Sequence, residues 1–437
     1  MTQSSLRTAA AALAFALSAP ATADEIESWN AKLQSTYIWQ GKPSFPAAYS
    51  GPNSLSPERA TSYSFTATAA LGWRPWSGGE LYFDAELSKG KPLSNLTGLG
   101  GLTNGDMLKT GGSKAVIYRP RAFWRQTWPL GEETEPVESG FNQLGGTQPA
   151  RRIVLTAGNL AVTDLFDPNP VAHDARTQFL NWALLTHGAY DFAADARGYT
   201  WGAALELVDG DWSVRAGRFA EPKESNGLSI DSQWWRQHGD QLEVAHRHRI
   251  ADRPGALRLL VFRNVARMAS FDDALAEAAA TGGVPDIARV RRPQSKQGFG
   301  VAMDQGLLDD VTAFVRVARH DGRTEPYSFT SIDESFSTGA SMGGGAWGRG
   351  RDQLALAYAR HGLSPAHRRY LAAGGTDFFL GDGALRYAPE TLVEATYTAA
   401  LAAHLWLAFD VQHIANPAYN ADRGPVRAFA VRLHAEY

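Results

Sequence analysis

The chain has 437 residues, 20% of them charged, and a formal net charge of −3, a balance too close to neutral for a nucleic-acid binder, which carries a strong basic excess. It contains no cysteine, which excludes disulfides, thiolate–metal sites and cysteine catalysis. Aromatics at 11% together with 43 glycines suit strands and turns better than helices.

The first 23 residues read as a cleaved signal peptide. Arg7 precedes an apolar run from about Ala9 to Leu17, and Ala21-Thr22-Ala23 forms a small-x-small cleavage signal before Asp24 and Glu25. The run is too short for a membrane helix and Pro20 breaks it. The expected organisation is therefore a signal peptide over 1–23 and one domain over 24–437. Beyond residue 24 no apolar run approaches the roughly 18–20 residues of a spanning helix. That leaves an exported soluble protein, or a closed β-barrel, the other structure that can cross a bilayer.

Period-two alternation then recurs along the chain. Trp29, Ala31, Leu33, Tyr37 and Trp39 alternate with Asn30, Lys32, Gln34, Thr36 and Gln40. Tyr63 to Trp73, Leu81 to Leu87, Tyr199 to Leu207 and Phe429 to Tyr437 repeat the pattern. Strands are expected near 29–40, 60–73, 79–88, 116–128, 150–159, 198–208, 211–219, 239–249, 256–263, 296–306, 311–319, 336–345, 353–360, 391–401, 404–412 and 427–437. Many approach the length of a tilted transmembrane strand. Their connections alternate in length. Short turns such as 74–79, 209–211, 307–310 and 402–404 take every second place. Long ones (41–59, 88–115, 160–197, 220–238, 264–295, 320–335, 361–390 and 413–426) take the others, and the 129–149 connection is long where a short one is due. "DALAEAAA" and "PAHRRYLAA" read as short helices within the long loops. An all-β fold follows: a transmembrane antiparallel β-barrel of about 16 strands, with short periplasmic turns and long external loops. The apolar face of Ala, Leu, Val and Phe, with Trp or Tyr toward strand ends, is expected to meet lipid. The other face carries too many charges for a dry core and is expected to face a wet lumen.

Several stretches resemble the carbohydrate-selective porins of Gram-negative outer membranes, the OprB-type family. They are "STYIWQGKPSFPAAYSGPNSL", "GGELYFDAELSKGKPLSNLTGLGGLTNG", "RAFWRQTWPLG", "AHDARTQFLNWALLTHGAYDFAADARGYTWG" and "NPAYNADRGPVRAFAVRLHAEY". The likeness runs in order over the mature chain. It implies a sixteen-stranded barrel in the cell outer membrane and passive diffusion of small sugars. A terminal aromatic such as Tyr437 resembles the signal read by the outer-membrane assembly machinery. The implied partners are thus small sugars, outer-membrane lipids and that machinery. Porins of this size are habitually trimers, although no self-associating face is readable in the sequence.

A pore needs a constriction whose donors and acceptors match its solute. On 79–88 the polar face shows Glu80, Tyr82, Asp84 and Glu86, and on 116–128 it shows Arg119, Arg121, Phe123 and Arg125. Antiparallel pairing of Glu86 with Arg119 would set Asp84 opposite Arg121, Tyr82 opposite Phe123 and Glu80 opposite Arg125. Such a ladder either binds sugar hydroxyls through planar guanidinium donors or is a self-neutralised wall of salt bridges. Arg215, Arg316 and Arg432 are further inward candidates. The 160–197 connection is dense in Asp, His, Arg, Asn and aromatics, and it is expected to fold into the lumen with Asp167, His173, Asp174, Arg176, Asn181 and Trp182 near the channel. No cofactor, metal site or enzyme is expected. "GASMG" (339–343) matches G-x-S-x-G without the following helix that motif needs, and "HRHR" (246–249) offers two ligands with no third. The rival readings are a general or anion-preferring porin without a sugar site, and an exported polysaccharide-binding β-sandwich.

Overall fold

Alternation of side chains fixes which face each strand presents, and the computed structural model, which describes residues 26–437, shows where those faces go. Sixteen antiparallel barrel strands follow one another in chain order. They are β1 (Trp29–Lys42), β2 (Ala60–Trp76), β3 (Gly79–Lys91), the broken strand β4 (Val116–Tyr118) with β5 (Ala122–Pro129), β8 (Arg152–Leu160), β9 (Thr200–Asp209), β10 (Trp212–Ala220), β11 (His238–Ile250), β12 (Arg253–Met268), β13 (Arg292–Leu308), β14 (Val311–His320), β15 (Glu334–Gly343), β16 (Gln353–Gly362), β17 (Glu390–Ala402), β18 (Leu405–Ala415) and β19 (Val426–Glu436). Each pairs with its neighbour, and β19 closes on β1 with Tyr37 opposite Leu433 and Trp39 opposite Val431. The signal-peptide reading of 1–23 lies outside the described residues.

The burial pattern is the inverse of a water-soluble barrel. Leu205, Leu356 and Phe409 are each more than half exposed on the outside, whereas Asp84, Glu394 and Lys296 on the inner face are 0% exposed. Apolar side chains in that position are stable only against lipid, and closure satisfies every strand's backbone within the sheet.

Short turns occupy one end. β11 and β12 are joined by Ala251 and Asp252, both at positive φ, the backbone that a tight hairpin requires. β2, β12 and β13, at 17, 16 and 17 residues, run well beyond the roughly 9–11 residues that span a bilayer. Their sequences hide this extension, because the outward positions past the apolar band are Arg263, Arg267 and Gln297, and the hydrophobic alternation stops there. The helices α2 (Phe271–Thr281) and α3 (Pro365–Ala372) lie in long loops.

The 129–149 connection is a hairpin, β6 (Thr134–Val137) with β7 (Gly146–Pro149). Its tip enters the barrel from the short-turn end: Leu144 is 2% exposed and its N–H donates to the Tyr82 hydroxyl at 3.1 Å. From the other end, the loops between β3 and β4, β8 and β9, and β14 and β15 fold inward and form a lumenal core around Phe166, Trp182, Tyr190, Phe192 and Phe329. Much of the inner polar face is therefore dry, and its charges are matched by inserted loop backbone and side chains. The expectation of a uniformly wet lumen is corrected by those loops.

Candidate functional site

Between the inserted loops and the β3–β5–β8 wall remains a cavity of about 530 Å³, within the roughly 300–1,000 Å³ typical of small-molecule sites. Glu86 comes from β3, and Arg121, Phe123 and Arg125 come from β5 and its approach. Asp106 and Lys109 come from the loop after β3, Asp164, His173, Asp174 and Arg176 from the loop after β8, and Asn142 from the hairpin tip. Trp182, Phe192, Tyr199 and Phe329 present aromatic surface to the same space.

The wall is a charge ladder. Glu80 lies opposite Arg125 and Tyr82 opposite Phe123, with the latter two rings stacked at 4.9 Å. The Arg125 guanidinium sits 5.1 Å from the Tyr82 ring centre and 3.5 Å from Glu80. Arg121 forks onto Asp164 at 2.6 and 2.7 Å and reaches Asp84 at 3.3 Å. Asp84 also accepts from the Asn142 amide at 3.0 Å. The pairing then slips by one residue, and Glu86 meets Tyr118. Pro120 has no N–H to donate to a ladder, and β4 and β5 separate around it. The expected Glu86–Arg119 pair is thereby corrected. Arg119 turns to the outer face, where it bonds Asn159 at 3.1 Å and lies 5.0 Å from the Trp201 ring.

Arg176 takes the place expected of Arg119. From the loop after β8 it donates to Glu86 at 2.8 Å, Asp106 at 2.9 Å and Thr68 at 3.0 Å. The two carboxylates are almost fully buried, so the guanidinium supplies the charge and donors that make their burial tolerable.

Five other residues expected near the channel hold the loop instead. Arg316 is 1% exposed and is spent on Asp167 at 2.9 Å and on the Leu184 and Ala172 carbonyls. Arg432, 2% exposed, donates to the Ala175 and Gln178 carbonyls, both at 2.7 Å. Asp167 is fully buried on Arg316 and Thr186. Asn181 caps the one-turn helix α1 (Trp182–Leu185), accepting from Ala183 N–H at 3.0 Å. Arg215 bridges Glu206 and Glu243 and also donates to the Leu165 carbonyl. These five are corrected from channel contacts to loop anchors: a loop laid over an inward strand face buries whatever that face carries. His173, Asp174, Arg176 and Trp182 do line the cavity. Burial lowers the affinity of His173 for a proton, only partly opposed by Asp167, which favours its neutral ring.

Several site residues escape the sequence reading. Lys109 donates to Asn226 and the Ser328 carbonyl at 2.5 Å and stands over the Trp182 and Phe379 rings at 5.6 and 5.4 Å. Burial pulls its pKa down to about 7 against the opposing charges of Asp191 and Asp195. Asp191 gathers Lys296 Nζ at 2.6 Å and the N–H groups of Tyr327, Ser328 and Phe329 at 2.8, 2.8 and 3.0 Å. Glu394 accepts from the N–H groups of Leu180 and Asn181. Each is a lone polar residue on a strand or in a loop, and only Asp191 stands in a stretch, 187–201, where charges among aromatics gave a sequence signal.

A closed sixteen-stranded barrel, apolar outside, charged within and narrowed by inserted loops, defines an outer-membrane porin. The chain belongs to the carbohydrate-selective porin, OprB family, whose model matches residues 54–437. Its structure is similar to the high-pH structure of Pseudomonas putida OprB, with a TM-score of 0.71 and 14% sequence identity over 94% of each chain. Acinetobacter baumannii OccAB1 follows with a TM-score of 0.49 and 10% identity, over 95% of this chain and 97% of that one. No curated protein gives a significant match. Family and fold place the chain in the outer membrane as a channel, with the short turns periplasmic and the long loops external.

Proposed function

We propose that the chain is a passive channel for small carbohydrates, exported through a cleaved signal peptide. One observation carries this reading. The cavity lining brings four arginines (Arg121, Arg125, Arg176 and Arg197) and the partly charged Lys109 together with six acidic side chains (Glu86, Asp106, Asp164, Asp174, Asp195 and Glu436). Near-cancellation of charge gives an anion no net attraction, while the same groups supply dense donors and acceptors on facing walls. A hydroxyl-rich neutral ring needs both, and Phe123, Trp182 and Phe329 offer its apolar faces a surface. The arginine-lined lumen of the sequence reading is thus refined to an amphoteric one. The general or anion-preferring porin is the second reading, and the carboxylate count weighs against it. The β-sandwich alternative is replaced by the closed barrel.

Planar-bilayer conductance with added sugar, together with liposome swelling in sugars of graded size, tests the proposal. Sugar should block the ion current in a saturable way, with a reversal potential close to zero in a salt gradient. Arg121→Ala and Arg125→Ala should weaken the block. A strongly anion-selective current indifferent to sugar and to both substitutions would favour the second reading.

A further inference from the structure

The closure of the barrel has a local exception at β4. Among the described residues that strand pairs with β3 alone, with Val116, Ile117 and Tyr118 opposite Ser88, Leu87 and Glu86. Pairing with the next strand stops at Ala122 opposite Asn159, in a row of partners that runs from Phe83 on β3 to Trp201 on β9. Beyond that row β8 ends at Leu160 and the chain turns inward. The far edge of β4 is left facing the start of β9 with no strand between them. Its depth is set by Ile117, which pairs with the outward Leu87 and is 75% exposed. Free backbone groups at the level of lipid-facing side chains are tolerated only where protein covers them or water borders them.

Side chains alone fill this gap. The rings of Tyr118 and Tyr199 lie 6.2 Å apart, with the Arg197 guanidinium 4.8 Å from the first and Arg121 5.2 Å from the second. On the outside the exposed Arg119 spans the gap, donating to Asn159 at 3.1 Å and standing 5.0 Å from the Trp201 ring. Water replaces such a bond at little net cost, so Arg119 is a weak latch. Directly behind it, Arg121, Asp164, Arg197 and Tyr199 line the cavity already described.

The lipid-facing surface leads to the same place. An apolar groove of about 490 Å³ is floored by Ala67, Ala69 and Ala85 and walled by Leu33, Leu87 and Ile117. Because Ile117 belongs to β4, the groove ends within about one strand spacing, roughly 4.8 Å, of the gap. An apolar groove outside and a polar cavity inside thus meet across the part of the wall that no backbone pairing holds.

We propose that this gap is a side port for glycosides with an apolar aglycone, which enter from the bilayer with the tail in the groove and the sugar passing between β4 and β9. The proposal rests on the sugar-channel reading and adds a second entrance for a second class of solute. Glucose, which has no tail, keeps to the external mouth.

The test uses proteoliposomes loaded with β-glucosidase and a glucose reporter, with glucose, methyl β-glucoside or hexyl β-glucoside supplied outside and the rate of protein-free liposomes subtracted. The chain has no cysteine, so R119C/W201C creates a unique pair on the outer face, which a short bismaleimide can bridge. Bridging should abolish the protein-dependent entry of hexyl glucoside and leave glucose and methyl glucoside unchanged. Unchanged entry of hexyl glucoside in the bridged protein overturns the proposal, and so does an equal fall for all three solutes. If the variant does not fold, the wild type decides alone: hexyl glucoside should enter faster than methyl glucoside. Equal or slower entry, as expected if the groove holds only bilayer lipid or a second copy of the chain, overturns the proposal. A wild type closed to glucose would overturn the sugar-channel reading, and this proposal with it.

Discussion

Replacing Arg176 by glutamine should unlock the middle of the loop after β8. The side chain makes three contacts of 2.8–3.0 Å to Glu86, Asp106 and Thr68. Its carboxylate partners are only 1% and 2% exposed, and the arginine itself 15%. Removing one partner of a buried ion pair costs about 3–5 kcal/mol, because a charge is left without compensation. At about 1.4 kcal/mol per tenfold, the segment should open on the order of a hundred to a few thousand times more often. The opening stays local, since Arg432 still holds the Ala175 and Gln178 carbonyls from the opposite wall. Hydrogen exchange at the amides of residues 171–178 should accelerate by that factor. The loss of one positive charge from the lining should also move the reversal potential toward cation preference. Lysine at 176 should restore the charge but little of the protection, because one ammonium cannot reproduce the fork to three acceptors. Exchange rates and reversal potential both equal to wild type in R176Q would refute the assignment of Arg176 as the latch.

Asp191→Asn strands the fully buried Lys296 and weakens the clamp on the β14–β15 loop. It should cost about 3–5 kcal/mol, read as a lower unfolding temperature of the barrel in detergent. Gly300→Ala sets a methyl 2.7–2.8 Å from the His187 ring and should destabilise by about 1–3 kcal/mol; an unchanged melt would show that the ring yields freely. His367 contributes a pH dependence. Burial opposes its charge, but Asp333 at 3.2 Å and Asp377 at 3.0 Å outweigh that and raise its pKa to about 9. Its stabilisation is therefore complete below the ordinary histidine pKa of about 6.5 and is lost as pH rises through about 9. Proteolysis of the 361–390 loop should accelerate between pH 8 and 10 in the wild type and be insensitive to that change in His367→Gln. Replacing 137–146 with a two-residue turn should raise single-channel conductance, because the hairpin tip fills the lower part of the lumen; an unchanged conductance would show that the tip lies clear of the current path.

The barrel was legible because each strand must solve the same problem. A residue such as Leu205 has to meet lipid while its neighbours Ala204 and Glu206 face inward, and the pattern needs no knowledge of any partner strand. The Glu80–Arg125 and Tyr82–Phe123 pairings could be placed by spacing alone up to Pro120, where the backbone rather than the side-chain pattern decides the register. The assignment of channel residues failed for a different reason. Arg316 between Val315 and Val317 and Arg432 between Val431 and Leu433 read alike as inward arginines on apolar-alternating strands, and Arg176 as a loop arginine between Ala175 and Thr177. Which of them borders the passage depends on where the loop after β8 lies, and that is set by contacts such as Glu394 to Leu180 across 214 residues. Alternation reports the inner face; it is silent on what covers that face.

The hairpin between β5 and β8 has a consequence for how such a channel can diversify. It joins two adjacent strands, so lengthening or shortening it changes chain-closure entropy only slightly and leaves the barrel pairing intact. Its tip nevertheless contributes Asn142 to the charge ladder. Agents arriving from outside meet the long loops at the opposite end of the barrel. The hairpin is reached only from the cell's side of the membrane, so solute preference can be retuned there independently of the surface that outside agents meet.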